Sequence, residues 1–300
     1  MSAPPGRPPA SPAGPAAAGP VPPCAGAGWQ AVVLPHAHQR DLDSAITGQR
    51  YRIFVHIPGG TAPPGGRPVL YALDGNVTFP ALALMARTAG GRRRPAPVVV
   101  GIGYARDGDF GPPRSRDYTP PTAPAGPATE GGADLFLDFI ERELKPLIGA
   151  LVPLDPARQA LFGHSYGGLL ALHGLFTRPA MFQAWLAASP SIWYGERAVL
   201  AGLPGFAQRL AGLEEERSLL LTVGEREQPA GDPARLHGRR QLAARRRQVD
   251  AARELGARLA ADGLPARVEF VLLEGEDHGS ALYPALARGL AFFLEPDTGA

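Results

Sequence analysis

From residue 160 to 172 the chain reads A-L-F-G-H-S-Y-G-G-L-L-A-L, a glycine-flanked serine between two apolar runs. Few short sequences constrain a fold as much. A serine in G-x-S-x-G that closes a buried strand and opens a helix occupies a strained turn, which lifts its hydroxyl above the edge of the sheet. Gly163 and Gly167 suit that turn, because strand and helix pack too close there for a side chain. The string alone is fair evidence. Its setting, apolar strand before and apolar helix after, makes Ser165 a candidate nucleophile.

The flanking sequence supplies the frame. Residues 30–35 and 51–58 read as the arms of an antiparallel hairpin, with Tyr51, Ile53, Val55 and Ile57 on one face. Residues 68–73 and 97–104 are short continuous apolar runs, as expected of strands buried on both faces, with a helix at 79–88 between them. An amphipathic helix spans 133–151. Strands follow at 159–163, 184–188, 218–223 and 267–273, with helices at 166–177, 239–263 and 282–294. Such alternation predicts an α/β fold: a mostly parallel central sheet with helices on both faces and the antiparallel N-terminal hairpin on one edge. The Gly-, Pro- and Arg-rich stretch 105–132 is too long for an ordinary connection and is a candidate binding loop.

Composition narrows the function classes. Thirty basic against 28 acidic side chains leave a net charge of +2, which argues against a nucleic-acid binder held by bulk charge. The single cysteine, Cys24, excludes a disulfide framework and a cysteine-rich zinc site. No apolar run reaches the roughly 18 residues of a membrane span. Lys145 is the single lysine, so the arginine clusters reflect a compositional bias. The run from Arg239 to Arg247 lacks interleaved aromatics and reads as a solvated helix face. Residues 1–27, almost all Pro, Ala, Gly and Ser, are expected to be a disordered tail ahead of a domain at 28–300. That tail lacks the features of a secretory signal, and a cytoplasmic location is expected.

A serine hydroxyl needs an imidazole to take its proton. In this topology an acid and then a histidine follow the serine, each on a loop after a later strand. His278, in E-G-E-D-H-G-S directly after the last strand, meets that condition. Glu225 and Glu227 both follow the strand before it, and Glu227 is favoured. An ester carbonyl also needs N–H donors for its developing oxyanion. The amide of Tyr166 is one; the amide of Asn76, in the turn D-G-N after strand 68–73, is the second candidate.

At these residues the chain resembles the esterase family of α/β-hydrolases, closest to its siderophore esterases of the enterochelin and bacillibactin type. The landmarks are Y-R-I-F-V-H-I-P at 51–58, V-L-Y-A-L-D-G-N at 69–76, R-D-Y-T-P at 116–120, F-G-H-S-Y-G-G at 162–168, S-P-S-I-W-Y at 189–194 and G-E-D-H-G-S at 275–280. The resemblance implies a serine esterase with Ser165, His278 and Glu227 as its triad, no cofactor, and a ferric catecholate trilactone as substrate. The family pattern often has two tryptophans at 193–194, where this chain has Trp193 and Tyr194. A ferric tris-catecholate is anionic, which makes Arg116, Arg106 and Arg114 candidate substrate-binding residues and Trp193 a candidate ring-stacking surface. Alternatives within the chemistry are feruloyl or acetyl esters, a thioester, or acyl transfer. A non-catalytic binding protein on the same fold is the alternative from another class.

Overall fold

Among the described residues eight strands run Ala37–Asp43 (β1), Arg50–His56 (β2), Arg67–Leu73 (β3), Val98–Tyr104 (β4), Leu154–His164 (β5), Ala184–Ala188 (β6), Ser218–Gly224 (β7) and Arg267–Leu273 (β8). They form one sheet in the order β1-β2-β4-β3-β5-β6-β7-β8. The pairs β1–β2 and β2–β4 are antiparallel and every other pair is parallel. The computed structural model describes residues 28, 32–89, 95–105, 111–122, 126–127, 129–231 and 233–295. The described residues from Leu34 onward form one compact unit. The tail 1–27 lies outside the described residues.

The helices are Gly75–Ala89 (α1), Pro112–Tyr118 (α2), Ala133–Phe139 (α3), Lys145–Gly149 (α4), Tyr166–Thr177 (α5), Phe206–Ala211 (α6), Gly238–Arg246 (α7), Gln248–Asp262 (α8) and Leu282–Leu294 (α9). A π-helical turn, Ile140–Leu144, carries α3 into α4. Period-two alternation along β3 divides the core. Val69, Tyr71 and Leu73 face the layer built by α3, α5 and α8, with Phe136, Leu169 and Leu255 among its members. Leu70 and Ala72 face α1 and α9, against Phe79, Leu82 and Leu286. Both faces of the central strands are covered, which explains their unbroken apolar sequence.

Three sequence expectations change. The first hairpin arm is 37–43 rather than 30–35, because the polar A-H-Q-R-D-L-D runs along an exposed sheet edge and carries no apolar alternation. The helix expected over 239–263 is two helices, broken where Arg247 turns left-handed at φ 50°. The stretch 105–132 is only partly loop, since α2 lies within it. Among the described residues no helix is long and apolar enough to cross a membrane.

Candidate active site

Loops after β3, β5, β6, β7 and β8 all leave the carboxyl edge of the parallel strands, where such sheets assemble their sites. Ser165 stands between β5 and α5 with φ 61° and ψ −117°. A side chain rarely tolerates a positive φ, and this one persists because its surroundings over-determine it. Its own N–H donates to the Ala188 carbonyl (2.9 Å), and its carbonyl accepts from Ser191 N–H (3.2 Å) and Leu169 N–H (3.0 Å). The glycines make the turn possible. A Cβ on Gly163 would lie 2.1 Å from the Gly167 carbonyl oxygen, and one on Gly168 2.7 Å from that of Ala188.

His278 Nε2 is 3.0 Å from Ser165 Oγ, and its Nδ1 is 2.6 Å from Glu227 Oε2. The imidazole is half exposed and the carboxylate nearly enclosed, with side-chain accessibilities of 50% and 2%. Glu227 Oε1 accepts two further hydrogen bonds, from Ser189 Oγ (2.5 Å) and Gly224 N–H (2.7 Å). Burial pushes this carboxyl's pKa up, but the bonds from His278, Ser189 and Gly224 outweigh it and hold the group below its ordinary value. Glu225 is turned elsewhere: its Oε2 accepts from Gly275 N–H (2.9 Å) and ties two loops together. Asp277 also serves its own loop, accepting from the amides of Gly279 and Ser280. The geometry thus separates the two glutamates and joins Ser165, His278 and Glu227 in one line.

Two amides open the helices beside the serine. Tyr166 and Asn76 occupy the first turns of α5 and α1, where backbone N–H groups have no intrahelical acceptor. Neither backbone N–H donates to a protein acceptor among the turn and loop bonds of the described residues. The Asn76 side chain is fixed by β4: Oδ1 accepts from Tyr104 N–H (2.8 Å) and Nδ2 donates to the Tyr104 carbonyl (3.2 Å).

The described arginines expected at the substrate both meet carboxylates of the protein. Arg114 is buried, and its Nε and one Nη donate to the two oxygens of Asp74 (2.6 and 2.8 Å). The same Nη donates to the His164 carbonyl (3.2 Å). Its charge is met inside the protein, where it braces Asp74 against the residue before the nucleophile. Arg116 donates through Nε and Nη2 to the buried Asp117 (2.9 and 2.6 Å), which also accepts from the hydroxyls of Tyr51 and Tyr104. Arg106 lies outside the described residues. The Trp193 ring lies 6.1 Å from that of Tyr166. Tyr194 packs edge-on against Tyr166 and donates to Glu130 Oε2 (2.8 Å).

Sequence reasoning passed over three side chains. Ser189 supports Glu227, and its place directly after β6 was the available signal. His164, beside the nucleophile, lies with its ring tilted 4.7 Å from that of His278; burial, chiefly, with repulsion from His278, lowers its pKa to about 4. Arg246 lies over the Trp193 ring at 3.8 Å, although its run of arginines reads as a solvated face. Nothing in the sequence pointed to it.

A doubly covered parallel sheet with this serine turn and this serine–histidine–carboxylate line defines an α/β-hydrolase. The sequence model of a family described as "Putative esterase" matches residues 44–276. The chain is 39% identical over 283 residues to a siderophore triacetylfusarinine C esterase of Aspergillus fumigatus, covering 88% of this chain and 95% of that one. It is 36% identical over 285 residues to the ferri-bacillibactin esterase BesA of Bacillus subtilis, covering 89% and 92%. The crystal structure of the BES protein from Bacillus cereus superposes with a TM-score of 0.78 at 33% identity, over 89% of this chain and 98% of that one. The chain belongs to this esterase family and is a serine hydrolase of carboxylic esters.

Proposed function

We propose that the enzyme hydrolyses the ester bonds of a ferric siderophore through an acyl-enzyme on Ser165. The observation that carries this reading is the unbroken contact from Ser165 Oγ to His278 Nε2 and from His278 Nδ1 to Glu227. As Ser165 Oγ adds to the ester carbonyl, His278 Nε2 takes the hydroxyl proton and Glu227 stabilises the imidazolium. The amides of Tyr166 and Asn76 meet the oxyanion. Collapse breaks the ester C–O bond, and His278 returns the proton to the leaving alkoxide. Water then adds to the acyl-enzyme with His278 as base, the acid leaves and the serine is restored. The relatives' names support the substrate, one for triacetylfusarinine C and one for ferri-bacillibactin. The aromatic side chains of Tyr166, Trp193 and Tyr194 beside the nucleophile suit a ligand carrying planar chelating rings.

Two measurements test it. A fluorophosphonate should label Ser165 and leave Ser165→Ala unmodified; an unlabelled wild type would refute the acyl-enzyme. Ferric and iron-free catecholate trilactones and triacetylfusarinine C should then be compared by kcat/KM with feruloyl and acetyl esters. Preference for the simple esters, with every siderophore untouched, removes the substrate and leaves the serine chemistry standing.

A further inference from the structure

We infer that Arg246 is the cation of the ester site: stacked on Trp193, it receives a negatively charged oxygen of the substrate and sets the preference for anionic over neutral esters. This deepens the hydrolase reading above and rests on it.

The backbone fixes Arg246 in place. It is the last residue of α7, where the helix stops at left-handed Arg247. The Arg247 guanidinium is drawn away to Glu254 (2.5 Å) and Asp250 (3.4 Å) on α8. Gln248, buried at the start of α8, donates from Nε2 to the carbonyls of Ser189 (2.6 Å) and Pro190 (2.8 Å). Those two residues lead from β6 to Trp193, so the segment carrying Arg246 is pinned to the segment carrying its indole partner. The guanidinium carbon then lies 3.8 Å from the Trp193 ring centre, well inside the range of a cation–π contact. Trp193 packs on Tyr166, the residue after the nucleophile, and the Arg246 charge acts on the Tyr166 phenol.

Arg246 differs from its neighbours in what answers its charge. Arg114 is held by Asp74, Arg116 by Asp117 and Arg247 by Glu254. Among the described residues Arg246 has no carboxylate within ion-pair distance, and its Nε is buried with no hydrogen-bond partner. Glu130, which also acts on Tyr166, is engaged by the Tyr194 hydroxyl. The Arg246 guanidinium carries its N–H donors in a planar fork that matches a planar pair of anionic oxygens. A carboxylate, or the deprotonated oxygens of an iron chelate, completes such a fork.

Arg246→Met keeps an unbranched apolar chain over Trp193 and removes the charge; Arg246→Lys keeps the charge and removes the fork. The probes are two pairs differing in one carboxylate: phenyl acetate with p-acetoxybenzoate, charged on the alcohol side, and p-nitrophenyl butyrate with p-nitrophenyl hemisuccinate, charged on the acyl side. In Arg246→Met, KM for at least one anionic probe should rise about tenfold to a hundredfold with kcat held, the loss expected for one charge-assisted hydrogen bond. Both neutral probes should stay within about twofold, and Arg246→Lys should recover part of the loss. Equal losses on neutral and anionic probes would make Arg246 a prop for Trp193 and overturn the assignment, as would no loss on any probe. Wild-type turnover of the neutral probes reports on the hydrolase reading separately. Turnover intact with an unchanged anionic-to-neutral ratio sinks Arg246 alone; no turnover and no Ser165 labelling sinks the hydrolase reading.

Discussion

Replacing Glu227 with glutamine removes one charge and keeps the side chain's shape, and the structure dictates how the new amide must sit. Oε1 accepts a hydrogen bond from the backbone N–H of Gly224 at 2.7 Å, and that donor cannot reverse. The glutamine oxygen therefore has to take the Oε1 position, with Ser189 Oγ still donating to it. The amide NH2 is left facing His278 Nδ1, where Oε2 was at 2.6 Å. Two donors cannot share that contact, so the imidazole must carry its proton on Nε2, toward Ser165. In that tautomer it cannot accept the serine proton. The corresponding change in a serine protease lowers kcat about 10⁴-fold, and a loss of about 10³–10⁴, or roughly 4–5.5 kcal/mol in the barrier, is expected here. The assay is kcat on p-nitrophenyl acetate at neutral pH, with circular dichroism to verify folding. Glu225→Gln serves as the control, since Glu225 meets only the Gly275 amide among these loops, and should stay within about threefold. A Glu227→Gln enzyme within tenfold of wild type would refute the tautomer argument; a larger loss at Glu225 would move the acid there.

Two further outcomes follow from buried groups near the serine. Arg114→Gln strands the Asp74 carboxylate in a buried site and should cost about 3–5 kcal/mol of stability by urea unfolding; adding Asp74→Asn should restore part of it, and a neutral single variant would contradict the brace. His164 has a folded pKa of about 4, below the ordinary histidine value, so between those values the unfolded chain binds more protons. The stability gained by keeping it neutral is complete above about pH 6.5 and is lost as pH falls toward 4. His164→Gln should flatten that decline between pH 6.5 and 4.5, by an amount on the order of 2 kcal/mol, and parallel unfolding curves for the two proteins would argue against it.

Legibility in the sequence tracked burial. The core strands β3, β4, β6 and β7 carry nearly continuous apolar runs because helices cover both faces, and α5, β6, β7 and α9 fall where such runs place them. Edge strand β1 has a mostly exposed face and no such pattern, and the apolar residues beside it, Val32 and Val33, are exposed and lie outside the strand. The break at Arg247 carries neither glycine nor proline, the residues that ordinarily announce a left-handed turn. At the site, Ser165 and His278 were legible because chain order in this topology assigns their loops. Glu225 and Glu227 share one 3-10 turn. Which of them turns inward depends on the Gly224 amide and on Ser189, a residue 38 positions earlier that only the folded sheet brings near.

The R-D-Y-T segment shows how a family motif near a site can serve the backbone that carries it. Asp74 and Ser165 both hold positive φ, 54° and 61°, without being glycine, at a cost of about 1–3 kcal/mol each. The residues after them carry or approach the two amides proposed for the oxyanion, Tyr166 directly and Asn76 one residue further on. Such turns persist only if the surroundings hold them. Asp74 is held on its side chain by Arg114 and on its N–H by the Tyr118 hydroxyl (3.1 Å). The Arg114 guanidinium also reaches the carbonyl of His164, the residue before the nucleophile. Asp117 gathers Arg116, Tyr51 and Tyr104 and ties α2 to β2 and β4. One short helix thus braces both strained turns from behind. Its arginine charges are met within the protein by Asp74 and Asp117, whereas Arg246 lies over the Trp193 ring.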